Sequence, residues 1–276
     1  MTPRLLLAIF VLLSWFPLVA ANKLSETGKT FPELASFDEL MRSFVKENEI
    51  PGAALAVAKD GRLIYARGFG YANREKNESV QPESLFRIAS ISKPLTAVAT
   101  LQLVEQGKLK LDDSVFDILQ HKAHLPNGKK VDPRLKDITI AHLMRHQGGW
   151  HRDKSIDPLF HSIEIATALG KRPPATHNDI IRFMKGWPLD FKPGTRYAYS
   201  NLGYCLLGRV IEQTTGSDYE TYMKEAFLKP LGITRMRSGK TLQRAEEEVA
   251  YYPKGQMVGI AVTGPHIGVK VPRPYG

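Results

Sequence analysis

One cysteine, Cys205, occurs in 276 residues, so no intramolecular disulfide can form and packing and hydrogen bonding must hold the fold. It falls among Leu202, Leu206 and Leu207 on a helical pattern, where a buried, inert thiol is expected. Charge is not gathered into a block: the net +10 at pH 7 comes from 38 Lys and Arg against 28 Asp and Glu spread along the chain. Without a basic stripe interleaved with aromatics, no nucleic-acid partner is expected. A positive surface attracts anionic polymers or lipids at long range, but a solvated basic face is the simpler reading. The chain has no internal repeat and no low-complexity segment.

Several catalytic signatures are missing as well. Neither Ser90 nor Ser200 is flanked as Gly-x-Ser-x-Gly, which removes an α/β-hydrolase elbow. His142 and His146 have the i,i+4 spacing of a zinc pair, but Leu143 stands where His-Glu-x-x-His has its glutamate and no third ligand is evident. A structural role is expected for both. Ser238-Gly239-Lys240-Thr241 ends like a phosphate loop, yet Thr234 takes the place of the first glycine, so a surface turn is expected. No metal or cofactor is predicted.

What is present begins with an apolar run from Leu5 to Val19, preceded by Arg4 and followed by Ala20 and Ala21. This is the layout of a signal peptide over residues 1–21, with cleavage after Ala21, and the run is short for a membrane span. The expectation is a secreted or periplasmic protein; the alternative is an anchor formed by residues 5–21, with membrane contact only if that segment stays uncleaved. Residues 22–36 read as a linker and 37–276 as the functional domain. The roughly 255 residues after cleavage suffice for one domain with a sizeable core, or for a large part of a two-lobed one.

A pass along the chain predicts an α/β architecture. Ser36 to Glu39 fits a capping box, with Leu40, Met41, Phe44 and Val45 at helical spacing up to Pro51-Gly52. Ala53 to Ala58, Asp60-Gly61 and Leu63 to Tyr71 read as a β-hairpin. Its first strand is almost continuously apolar, as expected for burial on both faces. A helix starts near Ser90 and stops at Gly107, and further helices are predicted near 139–146, 178–185, 202–215 and 218–227. Long loops at 120–137 and 148–176 are expected to form a helical lobe and the wall of a cleft.

Two motifs carry chemistry. In Phe86-Arg87-Ile88-Ala89-Ser90-Ile91-Ser92-Lys93-Pro94, a serine and a lysine lie three residues apart where a helix begins, sharing one face of a turn. Pro94 suits a first turn, where its missing N–H is not needed. Serine becomes a nucleophile when a neighbour takes its proton, and lysine does so when burial or nearby positive charge eases its deprotonation. Alternatively, both face solvent at an ordinary helix start. In Tyr199-Ser200-Asn201, after Lys192-Pro193-Gly194-Thr195, residues two apart point the same way in extended backbone. Tyr199 and Asn201 then face one pocket as proton carrier and amide clamp. Alternatively, the tyrosine packs and the asparagine caps the following helix.

Taken in order, these motifs resemble the serine β-lactamase and penicillin-binding-protein superfamily, in particular class C β-lactamases, D-alanyl-D-alanine carboxypeptidases and related esterases. The resemblance covers roughly residues 37 to 250. Further similar segments are Leu103-Val104-Glu105-Gln106-Gly107-Lys108-Leu109 with Leu111-Asp112-Asp113, Ile138 to His146 before Gly148-Gly149, and Phe191-Lys192-Pro193-Gly194 leading into Tyr197-Ala198-Tyr199-Ser200-Asn201. It implies a β-lactamase/transpeptidase-like fold, with an antiparallel sheet flanked by helices plus a helical lobe. It implies that Ser90 forms an acyl-enzyme with Lys93 hydrogen-bonded to it, that Tyr199 shuttles protons and that Asn201 orients the substrate amide. The Ser90 N–H would give half of an oxyanion hole, a type of donor worth about a hundredfold or more in rate. Whether the lysine or its partner is the acylation base is disputed among relatives. No Glu-x-x-Leu-Asn segment is found, which disfavours a glutamate-activated water.

The family's third element, a Lys-Thr-Gly or His-x-Gly strand, has no match: Lys240-Thr241 is followed by Leu242, and Thr263-Gly264 is preceded by Val262. The expectation is a sheet left incomplete by C-terminal truncation and a chain crippled in turnover. The function expected is acyl transfer on a peptide-like amide or β-lactam, with a small-molecule or peptidoglycan-like peptide or ester as partner. The alternatives are an esterase on the same scaffold, and a non-catalytic penicillin-binding module or inactive fragment.

Overall fold

The computed structural model describes residues 24–125, 128, 130–240 and 243–252. The expected signal segment, residues 1–21, lies outside them. The chain divides into two compact units, one up to Ser84 and one from Leu85.

The first unit is a mixed α/β layer. Strands β1 (Glu26–Thr27), β2 (Gly52–Lys59), β3 (Arg62–Asn73) and β4 (Glu78–Ser79) form an antiparallel sheet in which β3 is central, flanked by β1 and β2 and also paired with β4. The predicted hairpin is present. Asp60 (φ 51) and Gly61 (φ 71) both adopt left-handed backbone, the two-residue turn whose twist matches its strands. Helix α1 (Ala35–Glu47) packs Met41 and Val45 against Tyr65 and Phe69 of β3.

Two expectations fail in this unit. The capping box at Ser36 is not used. Pro32 opens a 3-10 turn over Pro32–Leu34 that runs straight into α1, so the helix already exists at Ala35 and needs no side-chain cap at Ser36. Strand β2 is also not covered on both faces: Ala53, Leu55 and Val57 turn toward the α1 side, while Ala54, Ala56 and Ala58 are exposed. Alanine is small enough to be tolerated on either face, which is why the apolar run misled. Charge is buried here too: the Arg67 guanidinium sits 2.6 Å from Asp38 and 3.3 Å from Glu26, and the Tyr65 hydroxyl donates to Asp38 at 2.5 Å.

The second unit is helical: α2 (Ser92–Glu105), α3 (Val115–Ile118), α4 (Ile140–Met144), α5 (Ser162–Ala168), α6 (His177–Lys185), α7 (Asn201–Thr215) and α8 (Tyr219–Tyr222), the last continuing as a π turn through Leu228. At its centre is α7, whose Leu202, Leu206, Leu207, Val210 and Ile211 are buried in one stripe against α2, α3, α4 and α8. At roughly 1.5–3 kcal/mol for each large apolar side chain removed from water, this stripe anchors the unit and with it the end of α7 that carries Asn201. The 148–176 stretch is less irregular than expected, since it holds a 3-10 turn at Pro158–Phe160 and α5. No helix among the described residues is long and apolar enough to cross a membrane.

Candidate active site

Ser90 sits in a 3-10 turn, Ala89–Ile91, that leads directly into α2. Lys93, one turn on, donates from Nζ to Ser90 Oγ at 3.0 Å. Ser90 Oγ also lies 2.6 Å from the Tyr199 hydroxyl, either group being able to donate. Lys93 Nζ donates a second bond, 2.8 Å long, to Asn201 Oδ1, and stands 4.8 Å from the centre of the Tyr199 ring. The four side chains read from two motifs thus meet, across more than a hundred residues of sequence.

Tyr199 is held by a residue that the sequence reading assigned only a structural role. His146, just past α4, has left-handed backbone (φ 56). Its carbonyl accepts the N–H of Ala198 at 2.8 Å and its Nδ1 accepts the N–H of Ser200 at 3.1 Å. The two bonds bracket Tyr199 in the chain, and the imidazole lies against the phenol with ring centres 4.7 Å apart. Accepting at Nδ1 requires that nitrogen to be unprotonated. Burial, followed by the charge of Lys93, holds the imidazole below its ordinary 6.5. His142 does not join it in a pair: its Nδ1 lies 3.1 Å from the Asp137 carbonyl and within 3.3 Å of the Thr139 N–H, completing the cap of α4. Among the described residues, no group of three or more His, Cys, Asp or Glu is placed to hold a metal ion.

The surroundings ease deprotonation of the Tyr199 phenol. Burial pushes the Tyr199 phenol up, but the interactions with Lys93 and Ser90 and the charges of Lys93 and Arg152 outweigh it, leaving the group below its ordinary 10.0. Arg152, from the loop after Trp150, holds its guanidinium 4.9 Å from the Tyr199 ring centre. Cys205, one turn into α7, is not part of the site; burial lifts its thiol to about 11, so it stays protonated at neutral pH.

Asn201 is the first residue of α7 but does not cap it. Ser200 Oγ does so, accepting the Gly203 N–H at 3.0 Å. The Asn201 amide is engaged at both ends, its Oδ1 by Lys93 and its Nδ2 by donation to Asp157 Oδ2 at 2.7 Å. Nδ2 keeps one further hydrogen to offer a substrate. A cavity of about 400 Å³ has walls that include Ala89 and Ser92, neighbours of the two catalytic candidates, but none of the four side chains.

A hydroxyl within hydrogen-bond reach of both a lysine amine and a tyrosine hydroxyl has beside it the groups that can relay a nucleophile's proton. The Beta-lactamase family matches residues 37–266. The chain belongs to that family. It therefore falls within the serine β-lactamase and penicillin-binding-protein superfamily. It is 30% identical to Esterase EstB of Burkholderia gladioli over 250 residues, 88% of this chain and 59% of that protein. It is 29% identical to Protein flp of Staphylococcus aureus (strain COL) over 215 residues, covering 78% of this chain and 40% of flp. Among solved structures, the octameric penicillin-binding protein homologue from Pyrococcus abyssi shares 32% identity with a TM-score of 0.59, over 72% of this chain and 43% of that one. The chain thus spans about two fifths of the length of Protein flp and of that structure. The mixed α/β fold with an open antiparallel sheet agrees with these relatives.

Proposed function

We propose that this chain is an acyl-transfer hydrolase in which Ser90 Oγ attacks the carbonyl carbon of a peptide-like amide or β-lactam. The observation that carries the reading is the pair of contacts at Ser90 Oγ, 3.0 Å to Lys93 Nζ and 2.6 Å to the Tyr199 hydroxyl. One member of the Tyr199–Lys93 pair is deprotonated before attack, and as the Oγ–carbon bond forms the serine proton passes to it. When the tetrahedral intermediate collapses, that proton goes to the leaving nitrogen or oxygen. Water then adds to the acyl-enzyme, giving a proton to the same pair, and as the carbon–Oγ bond breaks that proton returns to Ser90 Oγ and the acid is released. Asn201 steadies Lys93 and presents its remaining N–H to a substrate carbonyl. The Ser90 N–H is our assignment for one oxyanion donor.

An ester is the second reading, favoured by the 30% identity to EstB over most of this chain. The leaving group is then an alcohol and the proton path is unchanged. Export through residues 1–21 belongs to the same proposal and places the substrate outside the cytoplasm. A fluorescent penicillin and a fluorophosphonate, with the adduct mapped by mass spectrometry, test the nucleophile: label is expected on Ser90 and absent from Ser90→Ala. Tyr199→Phe should keep the fold and lower turnover of nitrocefin or a p-nitrophenyl ester roughly a hundredfold or more, the usual scale for a positioned acid–base group. Label that survives Ser90→Ala, or a wild-type rate in Tyr199→Phe, overturns these roles.

A further inference from the structure

The carboxylate behind Asn201 has no evident duty in the fold. Asp157 stands at the cap position of the 3-10 turn Pro158–Phe160, with extended backbone (φ −93, ψ 97), yet its side chain caps nothing. An aspartate in that place ordinarily accepts a free N–H of the turn it opens. Here the carboxylate turns away and accepts from Asn201 Nδ2 at 2.7 Å, while its other oxygen, also buried, has no hydrogen-bond partner among the described residues. Burying a carboxyl oxygen unsatisfied costs stability, so the arrangement is better explained by what it does for Asn201 than by what it does for the loop.

The effect on Asn201 is specific. A carboxylate only accepts, so the amide must turn its NH₂ to Asp157 and its carbonyl oxygen to Lys93. Without Asp157 the amide is free to rotate by half a turn, which would aim N–H hydrogens at the N–H groups of Lys93. Resting on the proposed acyl-transfer reading, we infer that Asp157 is a positioning residue: it fixes the amide of Asn201 so that Asn201 Oδ1 holds Lys93 against Ser90. The order of contacts is Asp157, Asn201 Nδ2, Asn201 Oδ1, Lys93 Nζ and Ser90 Oγ, at 2.7, 2.8 and 3.0 Å. Arg152, five residues earlier on the same loop, stands over Tyr199. One loop therefore stands over Tyr199 directly and acts on Lys93 through Asn201.

The test is a double-mutant cycle read by the second-order rate of Ser90 acylation with the two probes above. Asp157→Ala is expected to slow acylation about tenfold or more in the wild-type background, within the range for directly coupled residues. In an Asn201→Ala background, adding Asp157→Ala should change the rate less than about twofold. Asp157→Asn, whose side-chain carbonyl can still accept, should recover most of the rate, and both single variants should melt within a degree or two of wild type because no cap is lost. Effects that add in the double variant, or an Asp157→Ala rate equal to wild type while Asn201→Ala and Ser90→Ala are slow, overturn the role of Asp157 alone. A wild-type chain that takes no label at Ser90 overturns the reading on which it rests.

Discussion

Ala89, the residue before the proposed nucleophile, adopts φ 45, a region that costs an L-residue with a Cβ roughly 1–2 kcal/mol. Glycine there would remove that cost but add about 0.4–1 kcal/mol of unfolded-chain entropy. The first term is larger, so Ala89→Gly should raise stability by up to about 1.6 kcal/mol, measured as a higher urea midpoint at unchanged slope. A lower midpoint would show that the turn is not strained. Strain beside a reacting group is a recurring feature of functional sites, and nothing in the residue order announces it. Ser90, Lys93, Tyr199 and Asn201 were legible because each motif is short and its geometry local: three residues along a helical turn, two along an extended segment. His146 and Asp157 were not, since their contacts reach 54 and 44 residues along the chain and exist only once α4, the 150–157 loop and α7 are packed together. The signal available for Asp157 was its place before Pro158, which by itself marks no more than a turn.

At the scale of elements, α7 shows why a bland reading and a functional one could not be separated from sequence. Ser200 and Asn201 are both good helix caps, and either could have served. The structure gives the cap to Ser200 and leaves the Asn201 side chain to Lys93 and Asp157. The two roles predict different phenotypes. Ser200→Ala should cost about 1 kcal/mol of stability and lower the melting temperature while leaving the Ser90 acylation rate at 25 °C within a few-fold of wild type. A large rate loss without a change in melting would mean that the cap itself shapes the site. Helix positions were otherwise readable, because a stripe such as Leu202, Leu206, Leu207, Val210 and Ile211 repeats at 3.6 residues and stays buried in the fold. Short elements escaped: α3 has four residues and α5 seven, too few for periodicity to stand out from the surrounding loops. Strand β2 failed in the other direction, since an alanine-rich run carries no alternation from which to tell the covered face from the open one.

For the molecule as a whole, the placement of titratable groups separates the acid response of the two units. No histidine occurs before His121, so the unit ending at Ser84 has none. The second unit holds His121 and His146 below their ordinary 6.5, in both cases by burial first and by nearby lysine charge next. A histidine whose folded value lies below its unfolded one binds more protons when unfolded, so its stability contribution is complete above pH 6.5 and is lost as pH falls through the folded value. In the first unit the sensitive groups are carboxylates. Glu26 is held below 4.5 chiefly by its hydrogen bond from Arg42, and Asp38 is held below 3.8 because bonds from Tyr65 and Arg67 outweigh its burial. Their contributions persist above the ordinary carboxylate range and are lost only as pH falls below about 4.5. The second unit has such carboxylates as well, Asp132 being held at about 2 by Arg134, so it has both acid steps and the first unit only the later one. Incubating the protein at graded pH and then pulse-labelling with deuterium at one fixed pH resolves the order by peptide. Peptides spanning residues 121–200 should begin to lose protection as pH falls below 6.5, whereas those spanning 52–73 should stay protected until below about 4.5. Loss of protection in both at the same pH, or first in 52–73, would mean that the buried Asp38–Arg67–Glu26 cluster, rather than the histidines of the second unit, sets the acid limit of the fold.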